Sequence, residues 1–316
     1  MQVHRNIDEI PSIRNAVVTI GTFDGVHTGH KKILAQLKDE ARQVAGESVL
    51  ITFHPHPRKV LADEKRPIQL INTLDEKIEL LKRQGLHHLV IVPFTKQFSN
   101  LSADEYVNDF LIGKFHPHTV IIGYDHRFGH DRKGDYRLLE DYAGRLQFFL
   151  KEIPEHVINS ITVSSTRIRD AIRTGDIHTA NQLLGYHFFF AGEVIDGNKL
   201  GRTLGYPTAN LGVNEEEKLV PGNGIYAVEA EIEGWQSKAQ TGRLKGMMSI
   251  GIRPTIGDNK RMIEVNLFDF DEEIYGKTMR VYVKAYMRPE VKFEGLEALK
   301  GQLAKDEINA RALLNP

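Results

Sequence analysis

Residues 16–30 read AVVTIGTFDGVHTGH, and this stretch decides the fold. Its first six residues are a short β-branched run, which favours a strand. Residues 31–44 follow with Ile33, Leu34, Leu37 and Ala41 on one face at helical spacing. The reading is therefore strand, glycine-bearing loop, helix. Open α/β sheets bind ligands at the carboxyl ends of their strands. A helix N-terminus there offers unpaired N–H groups and partial positive charge, which suit phosphate. Gly21 and Gly25 let the backbone approach a nucleotide closely. His27 and His30 are three apart and share a face of the first helical turn. Two imidazoles so placed can donate to phosphate oxygens and stabilise charge that builds up during nucleotidyl transfer. The pair by itself more often marks a surface or helix-capping feature. A HEXXH-type zinc site is excluded by the spacing and by the lack of a glutamate between the histidines.

Working outward, strand-like and helix-like segments alternate. Residues 48–53, 88–92, 119–123 and 147–153 read as further strands, and residues 74–84, 103–112 and 137–144 as helices. This alternation implies βαβ units and a parallel sheet with helices on its faces. Residues 165–184 read as two short helices. From residue 187 the pattern changes to HFFFAGEVI, GIYAVEAEI, GMMSIGI, MIEVNLFDF and MRVYVKAYM, separated by glycine-rich turns. Short, evenly spaced strands of this kind suggest a closed or nearly closed antiparallel barrel. Residues 295–312 give a terminal helix. The expected fold class is α/β followed by β, with a boundary between 1–185 and 186–316.

At 316 residues the chain is long enough for two cores. Lys and Arg total 41 against 42 Asp and Glu, so the basic excess of a duplex-binding protein is missing. The absence of cysteine excludes disulfides, thiolate catalysis and cysteine-ligated zinc. No secretory h-region opens the chain and no apolar run reaches about 18 residues, so a cytoplasmic location without membrane or nucleic-acid partners is expected.

Residues 21–30 as a block are far more specific than the histidine pair. GTFDGVHTGHKKIL resembles the adenylyltransferase module of bacterial bifunctional riboflavin kinase/FAD synthetases, within the nucleotidyltransferase superfamily marked by His-X-Gly-His. Three further segments match in order: HPHP at 54–57, GYDHRFGHDRKGD at 123–135 and SSTRIR at 164–169. The resemblance implies ATP and FMN binding by Gly21, Phe23, Asp24, Gly25, His54, His56, Asp125, Arg127, Ser165 and Thr166, with His27, His30 and Arg167 catalytic. The prolines of HPHP stiffen an extended loop that can hold His54 and His56 towards a flavin phosphate. Ser165 or Thr166 can cap the helix that follows. His126 stands where the family usually has phenylalanine.

Residues 201–210 read GRTLGYPTAN and resemble the riboflavin kinase signature. Gly201 and Gly205 permit a tight loop over phosphates, and Pro207 fixes the backbone before Thr208 and Asn210. Two apart in extended chain, Thr208 and Asn210 project to one side. They are hard oxygen ligands suited to Mg²⁺ held jointly with ATP. Gly197 and Arg202 belong to the same expected ATP/riboflavin site. Glu264 shares parity with Met262, Asn266 and Phe268, so it reads onto the inward face of a barrel strand, where a carboxylate is costly unless it is used or paired. The resemblance makes it the general base for the riboflavin 5′-hydroxyl. Asn266 stands where the family often carries His or Tyr.

The resemblance spans about residues 18–310 and implies two reactions: riboflavin and ATP to FMN and ADP, then FMN and ATP to FAD and pyrophosphate. The implied partners are ATP, riboflavin and FMN, with Mg²⁺, and the chain acts as a monomer or weak homo-oligomer. One competing expectation is a kinase whose first domain has decayed, with His126 as its mark; intact His27, His30 and SSTRIR argue against it. The other is a flavin-sensing or RNA-binding protein without chemistry; Thr208, Asn210, Glu264 and the balanced charge argue against that.

Overall fold

The computed structural model describes residues 1–61, 68–123, 126–153, 163–197, 200–235, 242–255 and 258–315. It divides into two compact units, Met1–Ile68 with Asn72–Ser164, and Gln69–Ile71 with Ser165–Pro316.

The first unit is a parallel sheet. Its strands are β1 (Gln2–His4), β2 (Val17–Ile20), β3 (Ser48–His54), β4 (His88–Pro93), β5 (Thr119–Gly123) and β6 (Phe149–Ile153). They lie in the order β1-β4-β3-β2-β5-β6. All four residues of β2 are buried, as expected of a strand covered on both faces. Val18, Ile20, Val49, Ile51, Val90 and Val120 join one core cluster. The one buried hydroxyl of β2, on Thr19, donates to the Ile121 carbonyl at 2.8 Å. Helices α1 (Thr28–Gln43), α2 (Leu74–Lys82) and α3 (Tyr136–Leu146) cover the sheet. The order of strands carries the functional point. From β2 the chain moves to β3 and β4 on one side, then returns to place β5 on the other side of β2. The carboxyl ends of β2 and β5 therefore flank a topological switch point, where such sheets bind ligands.

Two features of this unit differ from the sequence reading. Strand β1 has no apolar run to announce it; it is an edge strand of three residues paired to β4. Residues 103–112 form no single α-helix. A short turn, Ala103–Glu105, leads into a π-helical stretch, Tyr106–Ile112, and the Gly113 amide donates to the Asn108 carbonyl five residues back. The wider turn lets Tyr106, Val107, Phe110 and Leu111 all reach the core.

The second unit opens with α4 (Ser165–Thr174) and α5 (Ile177–Leu184) and continues into a closed barrel. The barrel strands are β7 (Phe189–Ile195), β8 (Ala209–Gly212), β9 (Gly224–Ile232), β10 (Leu244–Thr255), β11 (Asp258–Leu267) and β12 (Thr278–Arg288). They close in the antiparallel order β10-β11-β8-β7-β12-β9. Five were expected. The sixth, β8, begins at the last two residues of the GRTLGYPTAN stretch, where a preceding proline, an asparagine and a closing glycine hide its strand character.

The interior is filled by Phe190, Tyr226, Val228, Met248, Ile250 and Val281, all fully buried. Register then corrects the expected orientation of Glu264. Met248 pairs with Val265, while Ser249 pairs with Glu264 and Met247 with Asn266. Glu264 therefore shares a face with Met247, Ser249 and Asn266, opposite to the face that fills the barrel. Parity grouped the right residues, but the face points outward, towards α6 (Leu296–Leu314). It looked inward because Met262 and Phe268 on it are apolar; α6 supplies their cover. Ala310 and Leu314 of that helix pack with Ala227, Met247 and Phe268.

A buried ion pair clamps α6 in place. Arg288, the last residue of β12, donates through Nε (2.9 Å) and Nη2 (2.6 Å) to the Asp306 carboxylate, which is 1% exposed. Gln302 Nε2 adds a third bond at 2.9 Å. Removing one partner strands the other charge in a buried place. Arg288→Ala, which strands the buried Asp306 carboxylate, should therefore cost about 3–5 kcal/mol of stability, read by denaturant unfolding of the purified protein.

Candidate active sites

In the first unit, the loop after β2 is shaped by left-handed backbone. Phe23 has φ of 48°, Gly25 of 90° and Val26 of 37°. This winding brings the chain from the end of β2 into α1 within a few residues. Its carbonyls and carboxylate are anchored. The Thr22 carbonyl accepts from Thr52 Oγ1 (3.1 Å) and Lys77 Nζ (2.9 Å). Asp24, 1% exposed, accepts from the Asn72 amide at 3.2 Å.

His27 is the N-cap of α1, and its Nδ1 accepts from the His30 amide at 3.2 Å. That bond fixes the tautomer: Nδ1 carries the lone pair, so the neutral ring bears its proton on Nε2 and can donate from there. The His30 ring is stacked on His27, with centroids 3.6 Å apart, and lies 4.5 Å from the Phe23 ring. Burial, then the proximity of His27 and of Lys77, holds its pKa well below the usual 6.5, so His30 is neutral at pH 7. Its Nδ1 is buried and finds no hydrogen-bond partner among the described residues. Paired imidazoles at a helix N-terminus, beside a topological switch point, form a ready acceptor of phosphate.

The other expected residues of this site fall in different places. His54 ends β3 and is exposed, whereas His56 is buried and its Nδ1 accepts from the Arg58 amide at 3.1 Å. Asp125 lies outside the described residues. Arg127 is ion-paired to Asp135 at 2.9 Å. The His126 ring lies stacked beside Phe128, centroids 5.9 Å apart. Phe128 in turn pairs with Gly134 through two backbone bonds, and a Cβ on Gly134 would meet the Phe128 ring at 2.3 Å. In the second unit, Ser165 is the first residue of α4. Thr166 and Arg167 are exposed on its first turn.

The second unit brings its expected residues together. Asn210 pairs directly with Glu264 across β8 and β11, and Ser249 pairs with Glu264 from the other side. Thr208 is two residues before Asn210, so it projects to the same face. Gly201, Thr208, Glu264 and Asn266 line one cleft, walled by Leu299 and Leu303 of α6. Asn210 is 4% exposed, and its Oδ1 has no hydrogen-bond partner among the described residues. An amide oxygen in that position fits a cation.

Glycines shape this cleft. A Cβ on Gly197 would fall 1.8 Å from Asn210 Nδ2, and one on Gly201 would meet the Tyr206 carbonyl at 2.3 Å and Thr208 Oγ1 at 3.3 Å. Gly205 has φ of 84° and completes the turn, in which the Tyr206 amide donates to the Gly201 carbonyl at 2.8 Å. Arg202 and Pro207 are exposed beside it. Asn266 supplies a contact that the sequence did not announce: its Nδ2 donates to the Pro207 carbonyl at 2.7 Å, bracing the chain just before Thr208.

Each unit thus gathers side chains whose chemistry suits phosphate, one set of paired imidazoles at a helix N-terminus, the other a hydroxyl, amide and carboxylate on a barrel wall. Together they define a two-centre, nucleotide-dependent transferase. The FAD synthetase family profile matches residues 9–167 and the riboflavin kinase profile residues 184–314. A bifunctional riboflavin kinase/FMN adenylyltransferase of Listeria monocytogenes is 39% identical over 94% of this chain and 92% of its own. That of Escherichia coli is 34% identical over 97% and 95%. A solved structure described as a macrolide-efflux protein, from Streptococcus pneumoniae, is similar at a TM-score of 0.84 and 31% identity, covering 98% of both chains. Among the described residues of this chain, no helix is long and apolar enough to cross a membrane. The chain belongs to the bifunctional riboflavin kinase/FMN adenylyltransferase family.

Two outcomes follow from the geometry. Because His30 is held neutral by the fold, the unfolded chain takes up its proton first as pH falls below 6.5. Its contribution to stability is complete above that pH and is lost progressively below it. His30→Gln should flatten the acid-side fall in melting temperature relative to wild type. Gly197→Ala should displace Asn210 and slow riboflavin phosphorylation by about 10²-fold, the order expected for a 1 Å misplacement, while FMN supplied directly is still converted to FAD.

Proposed function

We propose that the two centres act in sequence on one flavin. The second phosphorylates riboflavin with ATP, and the first joins the FMN so formed to AMP from a second ATP. The observation that carries this reading is the pairing of Glu264 with Asn210, which sets a carboxylate beside an amide oxygen that has no hydrogen-bond partner among the described residues. The functional boundary is placed between residues 185 and 186.

In the kinase step Glu264 accepts the proton of the riboflavin 5′-hydroxyl. The oxygen attacks the γ-phosphorus of ATP, the bond to the β-phosphate oxygen breaks, and ADP leaves. Thr208 Oγ1 and Asn210 Oδ1 are the groups that hold Mg²⁺, which neutralises phosphate charge when bound with ATP. Gly197, Gly201 and Gly205 leave room for the phosphates, with Arg202 and Pro207 at the rim.

In the adenylyl step an FMN phosphate oxygen attacks the α-phosphorus of ATP and pyrophosphate leaves. His27 donates from Nε2, and His30 and the α1 amides add donors where charge develops. Gly21, Phe23, Asp24 and Gly25 form the turn that admits the nucleotide. His54, exposed at the end of β3, is directed at the flavin phosphate, and His56 holds that loop. Ser165, Thr166 and Arg167 are assigned to phosphate binding at the start of α4, and Asp125 and Arg127 to the adenosine side by resemblance. No covalent intermediate is needed, and positioning and charge stabilisation supply the catalysis. The chain is placed in the cytoplasm, as a monomer or weak homo-oligomer, with small-molecule partners only.

Incubation with riboflavin, ATP and Mg²⁺, followed by chromatography of the flavins, tests both halves. Wild type should form FAD, His30→Ala should accumulate FMN, and Glu264→Ala should leave riboflavin unconverted while still adenylylating added FMN. Riboflavin that stays unconverted by wild type would sink the reading.

A further inference from the structure

Lys77 lies on α2, outside every motif of the sequence reading, yet it is 7% exposed and close to the first centre. Its ammonium donates to the Thr22 carbonyl at 2.9 Å. Thr22 immediately precedes the left-handed Phe23, so this bond holds the loop at the residue where its winding begins. Asp24 is the carboxylate that faces Lys77, and Asp24 itself accepts from the Asn72 amide just before the α2 cap, Thr73. The start of α2 thus grips the loop at two points. Burial works against the ammonium, pulling its pKa down, and Asp24 only partly opposes this. A well-packed apolar side chain of similar length would avoid that penalty. Stability alone therefore does not account for a charge at this position.

We infer that Lys77 is a positioning residue for FMN adenylylation: it fixes the Thr22 carbonyl, and with it the turn that aims His27 and His30 at the reacting phosphates. The inference rests on the assignment of that step to this turn. After burial and the neighbouring His27, Lys77 also contributes to keeping His30 uncharged. The titratable groups facing His30 are His27, from its own helical turn, and Lys77, from α2; Asp24 faces Lys77. A cation at Lys77 disfavours a second cation at His30, so the imidazole stays neutral and able to act as an uncharged donor.

The test compares wild type, Lys77→Met and Lys77→Arg, each assayed separately for FAD formation from FMN and for FMN formation from riboflavin. Lys77→Met should form FMN at the wild-type rate. Its kcat for FAD should fall about 10- to 100-fold, as expected for a shifted catalytic group, with KM for ATP changed less than about threefold, a loss confined to the transition state. The acid limb of its pH–rate profile should move to higher pH, because His30 loses a neighbouring positive charge. Lys77→Arg should recover part of the rate and restore the acid limb. Unchanged FAD formation in Lys77→Met overturns the inference, as does an unmoved acid limb with a rate loss that only tracks a lower melting temperature. If Lys77→Met does not fold, the acid limb of Lys77→Arg and the His30 titration by NMR decide: a limb displaced despite the retained charge overturns the inference. Failure of wild type to make FAD would instead strike the assignment of the step.

Discussion

The barrel closes through a seam of two residue pairs, Glu264 with Asn210 and Val265 with Ala209. Closure removes the exposed edges that an open sheet would leave, so the second unit depends on this contact. The same two pairs serve both sides of the wall. Val265 faces the packed interior, and Glu264 faces the cleft. Any movement that disturbs the carboxylate and amide disturbs the register of the closing strands. The polar atoms of the site thereby inherit the rigidity of the barrel, a condition for holding oxygen ligands at fixed spacing.

The first unit reaches the same end by a different route. Its sheet is rigid, but its functional side chains stand on a loop and on the first turn of a helix. Rigidity there comes from local bonds: the His27 cap on the His30 amide, the stacked rings, and the anchored Thr22 carbonyl and Asp24 carboxylate. A helix N-terminus needs such bracing, since its first amides are committed to no partner within the helix.

Much of this was legible in the sequence because the signals were local. The β-branched run before GTFDGVHTGH, the helical spacing of Ile33, Leu34, Leu37 and Ala41, and the glycines of the second motif each dictate their own backbone. What stayed hidden depends on distant chain. Strand β8 is four residues whose partners are β7 and β11, and nothing within ANLG marks a strand. Period-two spacing told which residues join Glu264 on a face, but which face is inward depends on where α6 packs. Lys77 reads as an ordinary helix lysine until α2 is laid against the loop after β2. Asn266 gains its meaning from Pro207, which the fold brings to it.

Residues 69–71 belong with the barrel, although the chain on both sides of them belongs to the sheet. Leu70 bridges to Lys218, the Lys218 ammonium donates to the Ile71 carbonyl at 2.7 Å, and Arg169 Nε donates to the Gln69 carbonyl at 2.8 Å. The two units are therefore interleaved along the chain and do not follow one another in series. A shortened gene product that begins at residue 186 would carry Lys218, 4% exposed in the intact chain, without the Ile71 carbonyl that accepts its hydrogen bond. Any rearrangement that separated the two activities onto independent polypeptides would have to replace that three-residue loan.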